Sequence, residues 1–280
     1  MEHRLLSYKS SKISYYQFGS GEKIVLCFHG YGENASGFSF LEKYAGNIFT
    51  FYSIDLPYHG QTSWNENADF QREYLRDIIY KILDAPSEKA EPRKNMVPGF
   101  RITMIGFSLG GRIALSLYEI MSQQVEKIVL LAPDGLKINF WYWLSTQTWL
   151  GNKFFWYTMK RPEWFFVLLR ALNNLKLVNT SIFKFVNHYI GDKKVREDLY
   201  KRWTSLRSLK PHLKKIKSLI KANNTQVRLL YGKHDRIILP VRGEKFRNGI
   251  ENHCVLRIID SGHQVLHEKH AVEIVEGLLV

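Results

Sequence analysis

The chain has 280 residues, of which 45% are hydrophobic and 14% aromatic. This length and composition allow a large buried core, organised as one domain with an insertion. No run approaches the ~18 apolar residues of a membrane-spanning helix, and the opening residues, MEHRLLSYKSSK, lack the apolar stretch of a signal peptide. We therefore expect a cytoplasmic protein.

Basic residues exceed acidic ones, with 40 Lys and Arg against 26 Asp and Glu and a formal net charge of +14. Such an excess favours anionic membranes, acidic ligands or nucleic acid as partners. The basic residues are dispersed and no nucleic-acid-binding signature accompanies them, so we expect no nucleic acid partner. Weak association with an anionic membrane surface and simple solubility both stay open, and the sequence does not indicate an oligomeric state.

Apolar runs of β type alternate with helical periodicity along most of the chain. This alternation predicts an α/β fold with a mostly parallel central sheet and helices on both faces. The predicted strands are 13–17, 23–28, 49–54, 101–105, 127–131, 227–231 and 255–259. The predicted helices are 38–44, 69–83, 109–122, 241–248 and 268–279. The segment 85–98 carries prolines and charges, so it is predicted to be a surface loop.

The alternation stops between residues 137 and 209, where six of the seven tryptophans lie. The aromatic residues there have helical spacing, and no β-rich run extends the sheet. The sequence therefore predicts a core formed by 1–136 and 210–280, interrupted by a helical insertion at 137–209. The two cysteines, Cys27 and Cys254, fall in predicted strands and are interpreted as small core residues, not as a disulfide framework or metal site.

The segment RITMIGFSLGG at 101–111 joins a β-rich run to a helical one through the sequence GFSLG. A serine with a glycine two residues before it and another two residues after it, at a strand-to-helix junction, predicts a tight, strained turn that exposes the hydroxyl. The helix that starts there directs backbone N–H groups and its positive dipole end at any oxyanion formed nearby. Ser108 is therefore the candidate nucleophile.

Other polar residues follow predicted strands in a definite order. His29-Gly30-Tyr31 follows the strand at 23–28, Asp235 follows the strand at 227–231, and His263 follows the strand at 255–259. A serine attacks weakly unless a base takes its proton, so a histidine must lie within hydrogen-bond reach. His263 is the candidate base.

These motifs span nearly the whole chain, and they resemble those of the α/β-hydrolase-fold superfamily. The family's chain order of serine, acid and histidine is met by Ser108, Asp235 and His263. The resemblance implies an oxyanion hole formed by the backbone N–H groups of Tyr31 and Leu109, and a helical lid over the active site at 137–209. It identifies no substrate, because the fold hosts many reactions.

Two aspartates are candidates for the acid, whose task is to hold the imidazole tautomer and stabilise the imidazolium. Asp235 occupies the family's usual position, whereas Asp134 follows the strand at 127–131, a position that some relatives use. Asp134 lies in a Pro-Asp-Gly sequence, which forms turns in its own right. We assign Asp235 and keep Asp134 as the alternative.

Arg112 lies one helical turn beyond Ser108, so it is a candidate for binding a substrate carboxylate, or else lies on the solvated face of the helix. The run GFSLGGR resembles the elbow of a menaquinone-pathway lyase that acts on an acidic substrate. Aromatic residues of the insertion either pack it onto the core or line an apolar pocket for an acyl group. The candidates for that pocket are Trp141, Trp143, Phe155, Trp156 and Phe165.

The sequence thus predicts a serine hydrolase without metal or other cofactor. Its small-molecule substrate would be a carboxylic ester or thioester with a hydrophobic acyl group. A carbon–carbon hydrolase and a menaquinone-pathway-type lyase for an acidic substrate stay open as alternatives. Outside catalysis, the fold could serve as a ligand receptor or membrane-associated binding module with a vestigial site, although the intact set of Ser108, Asp235 and His263 argues against it.

Overall fold

A computed structural model describes residues 1–66, 69–84, 101–174 and 190–280. The strands of this part of the chain are β1 (Glu2–Tyr8), β2 (Ser11–Phe18), β3 (Lys23–Phe28), β4 (Phe49–Ile54), β5 (Ile102–Phe107), β6 (Val125–Leu131), β7 (Gln226–Gly232) and β8 (Cys254–Ile259). They form one sheet of order β1-β2-β4-β3-β5-β6-β7-β8. The strands from β4 to β8 in this order pair in parallel, whereas β1 and β2 form an antiparallel edge.

From β3 onward, the helices of the described residues alternate with the strands, except between β6 and β7, where several follow one another. They are α1 (Leu41–Ala45), α2 (Arg72–Asp84), α3 (Leu109–Met121), α4 (Phe140–Gln147), α5 (Trp149–Lys160), α6 (Glu163–Asn174), α7 (Lys193–Ser205), α8 (Leu213–Asn223), α9 (Val241–Arg247) and α10 (Ala271–Leu279). Among these described helices, none is both long enough and apolar enough to cross a lipid bilayer.

The strand order sets which face of the sheet each helix covers. The chain passes from β3 to β4 in one direction and then from β4 to β5, past β3, in the other. Because connections between parallel strands are right-handed, this reversal puts α1 on the opposite face from α2 and α3. The contacts agree, since α3 packs against α2 and α8 while α1 packs against α10. The predicted α/β fold is therefore confirmed.

The predicted strands are all present, and β3 and β4 have the predicted bounds. Three elements differ from the predictions. The edge strand β1 was not predicted, because its residues are mostly exposed and give no apolar signal. The lysine-rich helix α8 was also not predicted. The predicted helix at 38–44 is instead a 3-10 turn at Ala35–Phe38 followed by the short α1. The loop predicted at 85–98 lies outside the described residues.

The described residues divide into two compact units, one of Met1–Lys137 with Ser208–Val280 and one of Ile138–Arg207. The first contains the sheet, and the second contains α4 to α7. Within the second unit, Phe155 is buried and packs against Tyr200 and Trp203, so the interior of this unit is aromatic. Three of these four helices begin at side-chain caps, with Asn139, Thr148 and Asp192 accepting hydrogen bonds from first-turn N–H groups.

Helix α3 holds the two chain segments that border the second unit. Before that unit, the carboxylate of Asp134 forms an ion pair with Arg112, whose Nε lies 3.6 Å away. After it, the backbone N–H of His212 donates to Oε1 of Glu119 at 2.6 Å. The Glu119 side chain is buried, and Arg72 Nη1 lies 3.1 Å from its other oxygen. A buried carboxylate is tolerated where it is paired and hydrogen-bonded in this way.

The two cysteines lie inside the sheet layer and offer a test of core packing. Both are free and buried, and burial raises the pKa of the Cys254 thiol to about 12 and that of Cys27 well above its usual value. Since only the thiolate reacts with disulfide reagents, neither thiol of the native protein should react at pH 8. Both should react at once in denaturant, as followed by Ellman's reagent. Rapid reaction of a thiol under native conditions would contradict this packing.

Candidate active site

The backbone at Ser108 turns sharply between the end of β5 and the start of α3. Its φ of 48° and ψ of −113° lie in a region that side-chain-bearing residues rarely adopt. A Cβ on Gly106 would meet the carbonyl of Gly110, and a Cβ on Gly110 would meet the carbonyl of Phe28. Only glycine fits at either position, so the GFSLG sequence follows from the geometry of the turn.

Hydrogen bonds from the end of β6 hold the Ser108 backbone in place. The N–H of Ser108 donates to the carbonyl of Leu131 at 2.9 Å. The Ser108 carbonyl accepts from the N–H of Asp134 at 2.8 Å and from that of Gly111 at 2.9 Å. The strained residue is therefore fixed by neighbours on both sides and does not depend on its own conformational preference.

Ser108, His263 and Asp235 form one continuous chain of hydrogen bonds. His263 Nδ1 lies 2.7 Å from Asp235 Oδ2, and His263 Nε2 lies 3.1 Å from Ser108 Oγ. An ionised carboxylate only accepts hydrogen bonds, so the imidazole proton lies on Nδ1. Nε2 is then left with its lone pair directed at the serine hydroxyl, which is the arrangement that a general base requires.

The carboxylate of Asp235 is oriented by the loop that follows β7. Its Oδ1 accepts hydrogen bonds from the N–H groups of Ile237 at 2.7 Å and Ile238 at 2.9 Å, and its side chain is fully buried. Two backbone hydrogen bonds tie this loop to the chain that carries His263: Lys233 donates to Ile259 at the end of β8, and His234 donates to Ser261 just after it. Asp235 and His263 are thus positioned by one pair of adjacent strands.

Asp134 and Arg112 face each other at the end of β6. Asp134 Oδ1 accepts from the N–H of Gly135 at 2.7 Å, as expected of a turn residue, and its Oδ2 pairs with Arg112. The carboxylate that contacts the imidazole is that of Asp235. Arg112 is 7% exposed, so it does not lie on the solvated face of α3, and that alternative is wrong. Carboxylate binding by Arg112 stays a prediction.

The segment after β3 carries Tyr31, one of the two residues expected to form an oxyanion hole. Phe28 at the end of β3 pairs with Gly106 of β5, so the segments after both strands start at the same edge of the sheet. Leu109, the other residue, begins α3, and the first N–H groups of a helix have no partner within it. His29 holds the Tyr31 segment, because its Nδ1 lies 2.8 Å from the Gly30 carbonyl and its Nε2 accepts from the Leu56 N–H.

Glu33 links the Tyr31 segment to the His263 segment, and sequence reasoning did not find it. Its Oε2 accepts from the N–H of Gly30 at 3.1 Å, and its Oε1 accepts from Nε2 of Gln264 at 3.0 Å. Gln264 directly follows the candidate base. The two partners are 231 residues apart in sequence, and neither belongs to a motif that would pair them.

The aromatic candidates for an acyl pocket belong to the second unit, and their role there stays a prediction. Phe155 is buried within that unit and Phe165 is half-buried, whereas the other three are exposed. The exposed candidates are Trp141, Trp143 and Trp156. Among the described residues, no three His, Cys, Asp or Glu side chains are grouped as metal ligands would be.

The sheet, the serine turn and the order of acid and base are those of an α/β-hydrolase. A family model described as serine aminopeptidase, S33, matches residues 19–270, and the chain belongs to this family. It is therefore an enzyme of the hydrolase class. The family label alone does not identify a substrate, because sites with different chemistries share this fold.

Solved structures of esterases and thioesterases share this fold along nearly their full length. An esterase from Thermogutta terrifontis is 15% identical with a TM-score of 0.65, and covers 100% of this chain and 98% of its own. A carboxylesterase structure from a Nitrososphaera archaeon is 17% identical with a TM-score of 0.64, with coverage of 99% and 97%. The thioesterase domain of the curacin biosynthetic pathway is 15% identical with a TM-score of 0.59, with coverage of 99% of each chain.

Curated relatives include one that matches over most of its length and one that matches only in part. The YugF hydrolase of Bacillus subtilis is 22% identical over 261 residues, which are 89% of this chain and 86% of that protein. A serine hydrolase-like protein of Danio rerio is 30% identical over 113 residues. That match covers 40% of this chain and only 31% of the zebrafish protein.

Replacing Glu33 should test whether it positions the site. Glu33→Ala removes both hydrogen bonds and should lower kcat for ester hydrolysis about tenfold with little change in KM. This loss is below the ~10²–10³ typical of removing an oxyanion donor itself. Glu33→Gln should recover most of the activity, because the Gln264 amide can turn its oxygen toward the new donor.

Glu22→Ala, at an exposed glutamate at the start of β3, serves as the matched control. Steady-state kinetics of Glu33→Ala, Gln264→Ala and the double variant should show strong non-additivity, since both single changes break the same link. An unchanged kcat in Glu33→Ala would show that Glu33 does not position the site.

Proposed function

We propose that the protein is a serine hydrolase that cleaves a carboxylic ester or thioester of a small-molecule substrate, with a hydrophobic acyl group. The observation that carries the proposal is the hydrogen-bonded chain from Asp235 through His263 to Ser108. Each residue has the contact that its role requires, and the base holds its proton on the nitrogen that faces the acid. The similarity of the fold to esterases and a thioesterase agrees with this chemistry.

In the acylation step, Ser108 Oγ attacks the substrate carbonyl while His263 Nε2 takes its proton. The carbonyl oxygen becomes an oxyanion, which the N–H groups of Tyr31 and Leu109 stabilise together with the dipole of α3. When the intermediate collapses, the bond to the alcohol or thiol breaks and His263 returns the proton to this leaving group. The acyl group is left as an ester on Ser108.

In the deacylation step, water replaces the alcohol or thiol. His263 takes a proton from the water as it attacks the acyl-enzyme, and the same oxyanion donors stabilise the second intermediate. Collapse releases the carboxylic acid and returns the proton to Ser108 Oγ. Asp235 stays ionised throughout and stabilises the imidazolium of both steps.

The position of Arg112 favours this reaction over one on an acidic substrate. A lyase or carbon–carbon hydrolase for such a substrate would need a guanidinium directed at the substrate carboxylate. Arg112 is instead paired with Asp134. We propose Asp235 as the acid, because it contacts His263, and Asp134 as the structural partner of Arg112 and of the turn after β6.

Substitution of the nucleophile or base should nearly abolish hydrolysis. We expect Ser108→Ala and His263→Ala each to lower kcat for nitrophenyl esters to near background, and the double variant to lose little more, because these residues act as a unit. A fluorophosphonate probe should label the wild type at Ser108. The control is Ser116→Ala, a buried serine two turns further along α3, which should keep labelling and activity. Activity without labelling, or label on another serine, would contradict the assignment.

The two aspartates should separate clearly by substitution. Asp235→Asn should lower kcat on the order of 10⁴-fold, because it leaves the imidazole in the wrong tautomer. Asp134→Asn keeps the shape of the turn and should retain most of the activity, with a lower melting temperature from the weakened Arg112 pair. Kinetics and thermal unfolding of both variants measure this. The opposite ranking of the two kcat values would transfer the acid role to Asp134.

We further propose that residues 138–207 act as a lid. Their aromatic composition supports a substrate with a hydrophobic acyl group. Each buried methylene contributes about 0.8 kcal/mol. In a series of nitrophenyl esters from acetate to octanoate, kcat/KM should therefore rise about three- to fourfold per carbon until the pocket is filled. A flat series would remove the hydrophobic pocket and leave the triad chemistry untouched.

A further inference from the structure

Helix α5 presents an aromatic face to solvent. Among the described residues, every exposed tryptophan and phenylalanine lies between Phe140 and Trp156. On α5, Trp149 is 72% exposed and Trp156 is 45% exposed. The opposite side of the helix buries only Phe155, Thr158 and Met159. Large apolar side chains that are exposed side by side often mark an interaction surface, whereas single exposed ones need no explanation.

Lysines alternate with the tryptophans along one line of this helix. Positions 149, 153, 156 and 160 recur every three or four residues, so Trp149, Lys153, Trp156 and Lys160 form a single stripe. Lys153 Nζ lies 4.5 Å from the ring centre of Trp149, and Lys160 Nζ lies 4.8 Å from that of Trp156. Leu150, Phe154 and Tyr157 continue the exposed apolar surface beside this α5 stripe.

Negative charge is absent from this part of the sequence. Residues 135–162 contain no aspartate or glutamate, and the whole chain has a net charge of +14. The face is thus apolar and cationic at once. It lacks the carboxylates that would repel an anionic surface.

We propose that the α5 stripe and its apolar neighbours dock the protein on an anionic phospholipid surface. The helix would lie in the plane of the interface, with its aromatic rings among the headgroups and upper acyl chains. Tryptophan prefers this depth because its ring is amphipathic, and lysine reaches back to the phosphates with its apolar stem buried.

The lysines favour lipid over a protein partner. Protein–protein interfaces are depleted in lysine relative to the rest of the surface, whereas interfacial helices combine lysine with tryptophan, phenylalanine and leucine. The proposal does not rest on the proposed function. Docking can be measured with the inactive Ser108→Ala variant, so a failure of either proposal is distinguishable from a failure of the other.

The test is co-sedimentation of the full chain with vesicles of defined composition. At low salt, the protein should bind vesicles of phosphatidylcholine with about 30% phosphatidylglycerol and should bind pure phosphatidylcholine at least tenfold more weakly. About 0.5 M salt should release it, since the electrostatic part is screened over a few ångströms at that ionic strength. Tryptophan emission should shift to shorter wavelength on binding, as exposed rings leave water.

Two double variants locate the contact, each with a matched control. Trp149→Ala/Trp156→Ala should weaken binding tenfold or more, about as expected for withdrawing two aromatic side chains from the interface. Its control, Leu5→Ala/Val272→Ala, removes exposed apolar side chains of the first unit and should bind as wild type. Lys153→Glu/Lys160→Glu should weaken binding similarly, whereas Lys214→Glu/Lys221→Glu makes the same charge change on α8 and should reduce binding much less.

Several results would overturn the proposal. One is failure of the wild-type protein to bind anionic vesicles at low salt. Another is equal loss in the α5 variants and their controls, which would assign binding to the overall charge. Self-association in analytical ultracentrifugation that the Trp149→Ala/Trp156→Ala variant abolishes, without any vesicle binding, would assign the face to a second copy of the chain. Loss of esterase kcat/KM in that variant with unchanged vesicle binding would assign it to the substrate pocket.

Discussion

The candidate site depends on one backbone conformation, the left-handed φ of 48° at Ser108. A residue with a side chain in such a region costs on the order of 1–3 kcal/mol, so the surroundings must hold it there. The carbonyl of Leu131 and the N–H of Asp134 do so from the end of the neighbouring strand. The conformation lifts the hydroxyl out of the sheet to where His263 Nε2 reaches it. Relaxing this turn would lower the serine and separate it from His263.

The parallel sheet turns this local constraint into an assembled site. Parallel strands all end at the same edge, and ligands in such sheets bind outside the carboxyl ends of the strands. The segments that carry Tyr31, Ser108, Asp235 and His263 therefore start at the same edge although they are far apart in sequence. Second contacts then orient each member, with Ile237 and Ile238 holding Asp235, His29 holding the Tyr31 segment, and Glu33 joining two of these segments. The rigid part of the site is mostly hydrogen-bonded main chain.

Sequence reasoning predicted the central sheet because fully buried parallel strands are continuous apolar runs. β3 and β4 illustrate this, since nearly every residue in them is buried and their bounds came out as predicted. It missed β1, an exposed edge strand whose pairing with β2 is a tertiary effect. Ser108, Asp235 and His263 could be found because each follows a strong strand in a known order. Glu33 could not, because its partner Gln264 is identified only by three-dimensional proximity.

Helix α3 holds both chain segments that border the second unit, and this affects how the length and sequence of that unit can evolve. Arg112 and Glu119 are seven residues apart on one helix, so the segments they hold are fixed about 10 Å apart along its axis. The core holds both ends, and the closure entropy of a flexible connection between them grows only with the logarithm of its length. Doubling the intervening segment would cost about 0.6 kcal/mol in closure entropy. Selection can therefore lengthen, shorten or exchange residues 138–207 while Ser108, Asp235 and His263 keep their places.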